Sequence, residues 1–171
     1  MVVLRRTQRL ASALPASASA PTRSETALGD WYVNRLTVDR RPLLLLVSAF
    51  GLLPILLPAR EVGRLPERLP SVVSARLRRL GVGTAAAAAE VAAMEPVMVG
   101  PTVDRSVVGI LVDFAKSVPF YMEHGAWDDG TLAFVEARLA ETPCHAGRRF
   151  EDVVFPHRKA SELILAHWGA G

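Results

Sequence analysis

From residue 43 to residue 57 the chain reads LLLLVSAFGLLPILL, fifteen positions without a charge, with Arg40 and Arg41 before it and Arg60 and Glu61 after it. Fifteen helical residues rise only ~22 Å, short of the roughly 30 Å of bilayer hydrocarbon. Pro54 inside the run would cost a helix about 3 kcal/mol, and Gly51 sits where a turn wants it. The run therefore predicts a β-hairpin: a strand over 43–49, a turn at Phe50-Gly51, and a strand over 52–57 closed by Pro58. Its apolar residues are continuous rather than alternating, which predicts strands covered on both faces. Pro54 then belongs at an edge or a bulge, where no ladder donor is needed. A re-entrant or interfacial segment is the alternative reading.

The surrounding pattern supplies the other elements. A strand is predicted over 31–38, opening with Trp31-Tyr32-Val33, and Asp39-Arg40-Arg41-Pro42 turns it into the apolar run, so that three strands form a meander. A short strand over 2–5 and a helical turn over 7–14 precede a Pro, Ala and Ser linker, and residues 15–27 are expected to be a mobile loop. Leu65, Leu69, Val72, Val73, Leu77 and Leu80 recur at helical spacing, and Gly81 follows as a C-terminal cap. Arg64, Arg68, Arg76, Arg78 and Arg79 supply most of that helix's polar positions and predict a solvated face. Thr84 is positioned to cap an alanine-rich helix over 85–94, a strand follows over 97–99, and Asp104 caps another helix. Helices over 131–140 and 159–168 complete the chain. The fold class is α+β: one domain over 1–171, with a small, mostly antiparallel sheet (the meander) covered by four to five helices.

Composition narrows the class. Half of the 171 residues are hydrophobic, which excludes global disorder, and Cys144 is the only cysteine, so no internal disulfide forms and a reducing cytoplasm fits. The net charge of +3 conceals an asymmetry: residues 1–80 carry 13 Arg against 5 acids, and residues 81–171 carry 7 basic groups against 12 acids. A basic half could track phosphates, or the two halves could neutralise one another within the fold or across a dimer. The first 24 residues hold four Arg and no acid, a composition resembling an organelle transit peptide, but Arg5, Arg6 and Arg9 interrupt any apolar stretch of a secretory signal. A strand and a helical turn explain them as well.

The strongest candidate for chemistry is the helix entered at Asp104. At about 100° per residue, Ser106, Gly109, Asp113, Lys116 and Ser117 share one stripe, while Ile110, Leu111, Phe114 and Val118 lie on the apolar side. Asp113 is thus expected to be half-buried and to need a partner, with Lys116 or a distant Arg available. Gly109 removes a side chain, so another backbone or a ligand could approach. Arg105 and Ser106 occupy the first turn, where free backbone N–H groups favour an anion. A capped helix with a structural ion pair accounts for the same residues. Asp30 and Trp31, opening a strand, are further binding candidates, although a tryptophan there is more often core than stacking platform. Cys144-His145 with His157 falls short of a zinc set or an oriented thiol nucleophile. No P-loop, dinucleotide fingerprint or metalloprotease, hydrolase or paired-cysteine motif is present, and no metal or cofactor is expected.

Several blocks together carry a resemblance. Val2-Val3-Leu4-Arg5 with Thr7, then Gly29-Asp30-Trp31-Tyr32 with Asn34, the hairpin over 43–58, Arg105-Ser106-Val107 with Gly109 and Asp113, and Glu141-Thr142-Pro143-Cys144 occur in this order. In these blocks the chain resembles a family of small uncharacterised bacterial proteins, domain of unknown function 6933. The resemblance implies a soluble bacterial protein of mixed fold and implies no activity. The family pattern has Asn before the Arg and polar residues near the Gly-to-Asp stretch, where this chain has Asp104, Ile110 and Val112. Those departures put any shared binding role in doubt.

Three functions remain in view. The first is a non-enzymatic binding or regulatory module, with a protein partner or a nucleic acid held by the basic half. The second is an enzyme of unrecognised class, centred on Arg105, Ser106 and Asp113 and requiring them to meet in a pocket. The third is a self-assembling protein, for instance a homodimer. No membrane partner is expected.

Overall fold

The computed structural model describes residues 1–19, 23–122, 128–145 and 152–169. Its centre is the predicted meander. Strands β2 (Trp31–Val38), β3 (Arg41–Ser48) and β4 (Pro54–Pro58) pair antiparallel in sequence order. The β2–β3 connection is two residues long, with φ of 48° at Asp39 and 65° at Arg40. Positive φ at both central positions gives the turn whose twist matches paired strands, so β3 begins at Arg41 rather than after a four-residue turn. The second turn is longer than Phe50-Gly51. Ala49 N–H donates to Asp30 O (2.8 Å) and Phe50 N–H to Leu28 O (3.0 Å). Ser48 Oγ accepts Leu53 N–H at 3.0 Å. The hairpin tip is thus bound to the segment before β2, and the ladder with β4 closes only at Val47 and Pro54.

The expectation of a mostly antiparallel sheet requires correction. Strand β1 (Val2–Arg6) lies between β2 and β5 (Val97–Pro101) and is parallel to both. The five-stranded sheet, ordered β4-β3-β2-β1-β5, is mixed. Apolar patterning sets which face a side chain takes but carries no information on strand direction, and β1 and β5 lie at distant points of the chain. Among the described residues a separate ribbon joins β6 (Cys144–His145) to β7 (Val153–Val154).

Among the described residues five α-helices cover the sheet in two layers. On one face Trp31, Val33, Leu44, Leu46 and Ile55 meet α1 (Leu65–Leu80), α2 (Thr84–Ala93) and α5 (Pro156–Trp168). On the other, Tyr32, Leu43, Leu45, Val47 and Leu56 meet α3 (Arg105–Tyr121) and α4 (Asp129–Ala140). Leu44, Leu45, Leu46 and Val47 are all fully buried. Cover on both faces is why the apolar run does not alternate. Gly81 ends α1 in the left-handed region at φ 85°. Gly83, not Thr84, is the N-cap of α2, and Thr84 lies inside the helix. Among the described residues no helix is long and apolar enough to cross a membrane.

Both sheet edges are closed by hydrogen bonds. At β5, Ser17 N–H donates to Val99 O (2.9 Å) and Val99 N–H donates to Ser17 Oγ (3.0 Å). At β4, residues 54, 56 and 58 share the outward side because the ladder alternates. Pro54 and Pro58 have no N–H. Leu56 N–H donates to Glu136 Oε1 at 2.9 Å, and Arg76 Nε donates to Pro54 O at 3.0 Å. Pro54 thus stands on an edge strand, as its chemistry requires.

Candidate functional site

Helix α3 leaves the carboxyl end of β5, and short-range chemistry fixes its start. Asp104 is its N-cap, accepting from Ser106 N–H at 2.8 Å and Val107 N–H at 3.4 Å. Asp104 N–H in turn donates to the Tyr32 hydroxyl at 3.1 Å. Burial pushes the Tyr32 phenol pKa up, against the opposing hydrogen bonds from the Asp104 and Val103 backbone. Beside it, Arg5 Nε donates to Asp30 Oδ2 at 2.8 Å, and Arg5 Nη1 reaches Pro101 O at 3.4 Å. Thr7 Oγ1 donates to Asn34 Oδ1 at 2.8 Å. These contacts tie β1, β2 and β5 to the entrance of α3.

The sequence candidates therefore separate. Asp30 is held in a buried ion pair with Arg5, and its Oδ1 is buried without a hydrogen-bond partner among the described residues. Trp31 is fully buried in the layer facing α1, α2 and α5 and offers no stacking platform. Arg105, Ser106, Gly109 and Asp113 are all exposed along the outer face of α3. Asp113 is thus not half-buried: the helix turns Val107, Leu111, Phe114 and Val118 inward and leaves the stripe through 106, 109 and 113 to water. The anion expected at the first turn has a resident competitor, because the Asp104 carboxylate already accepts the two N–H groups that would bind it. Ser106 and Asp113, seven residues apart, are separated by roughly 10 Å of helix rise.

The same face carries apolar groups. Val103 is 66% exposed, Val112 41% and Phe120 86%. A Cβ added at Gly109 would meet nothing within 4 Å. No close approach demands glycine there, yet glycine inside a helix costs about 1 kcal/mol relative to alanine.

Cys144 is buried, and burial, then the Asp113 charge, pushes its thiol pKa up to about 11. Such a thiol is a poor nucleophile. The His157 ring is engaged instead, with Nδ1 2.8 Å from Ala140 O. Among the described residues no group of three or more His, Cys, Asp or Glu is placed to hold a metal ion.

Two buried carboxylates escaped sequence reasoning. Glu90 on α2 is fully buried and accepts Ala27 N–H (2.8 Å), Leu28 N–H (3.0 Å) and Trp168 Nε1–H (2.7 Å). Glu136 on α4 accepts Leu56 N–H and Arg79 Nη2–H, the latter at 2.8 Å, with Arg76 Nε at 3.6 Å. A signal existed for each: Glu90 follows the buried Ala86 and Ala87 at helical spacing, and Glu136 lies between the buried Leu132 and Leu139. An acid on an inward stripe implies waiting donors.

No curated protein and no solved structure matches the chain. The family model described as a domain of unknown function (DUF6933) matches residues 3–159. Apart from Val2, the residues that carry the resemblance lie within the matched span, and the chain belongs to that family.

Proposed function

We propose that this domain is a non-enzymatic binding module whose working surface is the outer face of α3 and whose ligand is a protein. The supporting observation is Gly109: a helix-weakening residue at an open position, with exposed Val112 and Phe120 along the helix, exposed Val103 just before its N-cap, and the charges of Arg105 and Asp113. A flat patch with apolar centres and a few charges suits a protein partner. An enzyme centred on Arg105, Ser106 and Asp113 has less support, since these groups run along an open helix rather than around a shared cleft. The nucleic-acid reading is weakened by the arginines already paired: Arg5 with Asp30, Arg68 with Glu61, and Arg76 and Arg79 with Glu136, which joins the basic half to the acidic one. The lone, buried cysteine is compatible with a cytoplasmic setting.

The test is affinity capture from the source cell with wild type, Gly109→Arg and Asp113→Arg. Proteins retained by wild type and lost by both variants, at unchanged melting temperature, are the expected result. Identical recoveries from all three would overturn the proposal. Steep salt-dependent retention on DNA or RNA would move it to the nucleic-acid branch. The third reading, self-assembly through this face, predicts a dimer by light scattering at high concentration, and a monomer removes it.

A further inference from the structure

We propose a second, unrelated binding site: the groove between α1 and α4 over the edge strand β4, which takes a small organic dianion. The groove has a volume of about 380 Å³, within the range of about 300–1,000 Å³ typical of small-ligand sites. Its floor is the outer side of β4 around Leu56 and Pro58, with Val72 on one wall and Leu132 on the other. Hydrogen bonding to the strand is largely foreclosed, because Pro54 and Pro58 lack an N–H and Leu56 N–H is given to Glu136. An occupant must be held by side chains, so a peptide adding a strand is disfavoured.

The side chains present are arginines. Arg60, Arg68 and Arg79 line the groove together with Glu61 and Glu136. Arg76 lies beneath it, 3% exposed, with Nη2 lacking any hydrogen-bond partner among the described residues. Three guanidinium groups and two carboxylates thus line the recess, and the buried Arg76 takes up part of the Glu136 charge from behind the lining, leaving a surplus of two positive charges over the whole cluster. Arg79 and Arg68 are each held by a carboxylate, Glu136 and Glu61 respectively, and retain further N–H groups for bidentate capture. Arg60 is exposed and has no ion pair among the described residues. The ligand that balances this charge and covers Leu57 and Pro58, partly exposed apolar groups of the lining, is a dianionic head, phosphate or dicarboxylate, on an apolar body. Glu61 stands where that head would approach Arg68 and therefore competes with it.

Isothermal titration of the full chain at fixed ionic strength tests this with phenyl phosphate, inorganic phosphate and phthalate. Saturable one-to-one binding of phenyl phosphate or phthalate is expected, and which of the two binds more tightly separates the phosphate from the dicarboxylate class. Inorganic phosphate, lacking the apolar body, binds more weakly than phenyl phosphate. Arg60→Ala and Arg68→Ala each weaken binding about tenfold, as expected for a lost charged hydrogen bond, and Glu61→Gln tightens it. Arg60 is exposed, so its variant is expected to keep the wild-type melting temperature and isolates binding from folding. No saturable binding of any of the three anions, or affinities unchanged in both arginine variants, would overturn the proposal.

Discussion

Replacing Glu136 with alanine tests the account of how the sheet edge is closed. Its side chain is 2% exposed and meets Arg76, 4% exposed, and Arg79, 42% exposed. It also takes Leu56 N–H, the one N–H among the outward residues of β4. Alanine strands a buried guanidinium and a buried amide. Removing one partner of a buried pair costs about 3–5 kcal/mol, a large part of the roughly 5–15 kcal/mol that holds a domain together. With a urea slope near 2 kcal/mol per molar, the midpoint falls by about 2 M. Glu136→Gln keeps one acceptor and loses the charge, and is expected to cost about 1.5–3 kcal/mol. Arg79→Ala removes a largely solvated partner and costs under about 1 kcal/mol. Urea denaturation followed by circular dichroism measures all three. A loss below about 1 kcal/mol for Glu136→Ala, or equal losses for Glu136→Ala and Arg79→Ala, would refute the claim that this cluster closes the edge.

Three further outcomes follow from the same contacts. Glu90→Ala leaves two backbone N–H groups and the Trp168 indole without their acceptor, so about 2–4 kcal/mol of stability is lost, and tryptophan emission shifts red as the end of α5 loosens; unchanged emission and stability would contradict the clamp. Asp104→Ala uncaps α3 and costs about 1 kcal/mol, read as a lower melting temperature, while Asp104→Asn retains most of the cap. The Cys144 thiol, with its pKa raised from 9.0 to about 11, resists alkylation at pH 8 until the protein unfolds. Because the unfolded thiol ionises first, its contribution to stability is complete below about pH 9 and is lost as pH rises towards 11, a decline that Cys144→Ala removes from the pH profile of the melting temperature.

Periodicity made the meander, its two-sided cover and the five helices legible, since each is a local statement about which positions are apolar. The strand over 31–38, the end of α1 at Leu80 with Gly81, and the cap at Asp104 needed no distant partner to be read. The direction of β1 was not legible, because parallel and antiparallel neighbours present the same faces. The fate of the charges was not legible either. Arg76 and Glu136 are sixty residues apart, and the first looks like one more member of a solvated arginine stripe.

That difference inverts the first impression of which residues do the work. Arg76, expected on a solvated face, is buried with Arg5 and Glu136, and all three brace strands, whereas Asp113, expected to be half-buried, stands in water with Arg105, Ser106 and Gly109. Bracing explains the first set completely: each has partners whose loss the fold would register. It explains nothing about the second. A helix needs neither an open glycine at 109 nor a phenylalanine 86% exposed at 120, and both carry a cost in propensity or solvation. Nor does closing the β4 edge require the extra guanidinium of Arg60 beside it. Features the fold does not need are where a ligand's contribution would offset their cost, and in this chain they fall on the outer face of α3 and in the arginine-lined groove rather than in the apolar run that dominates the sequence.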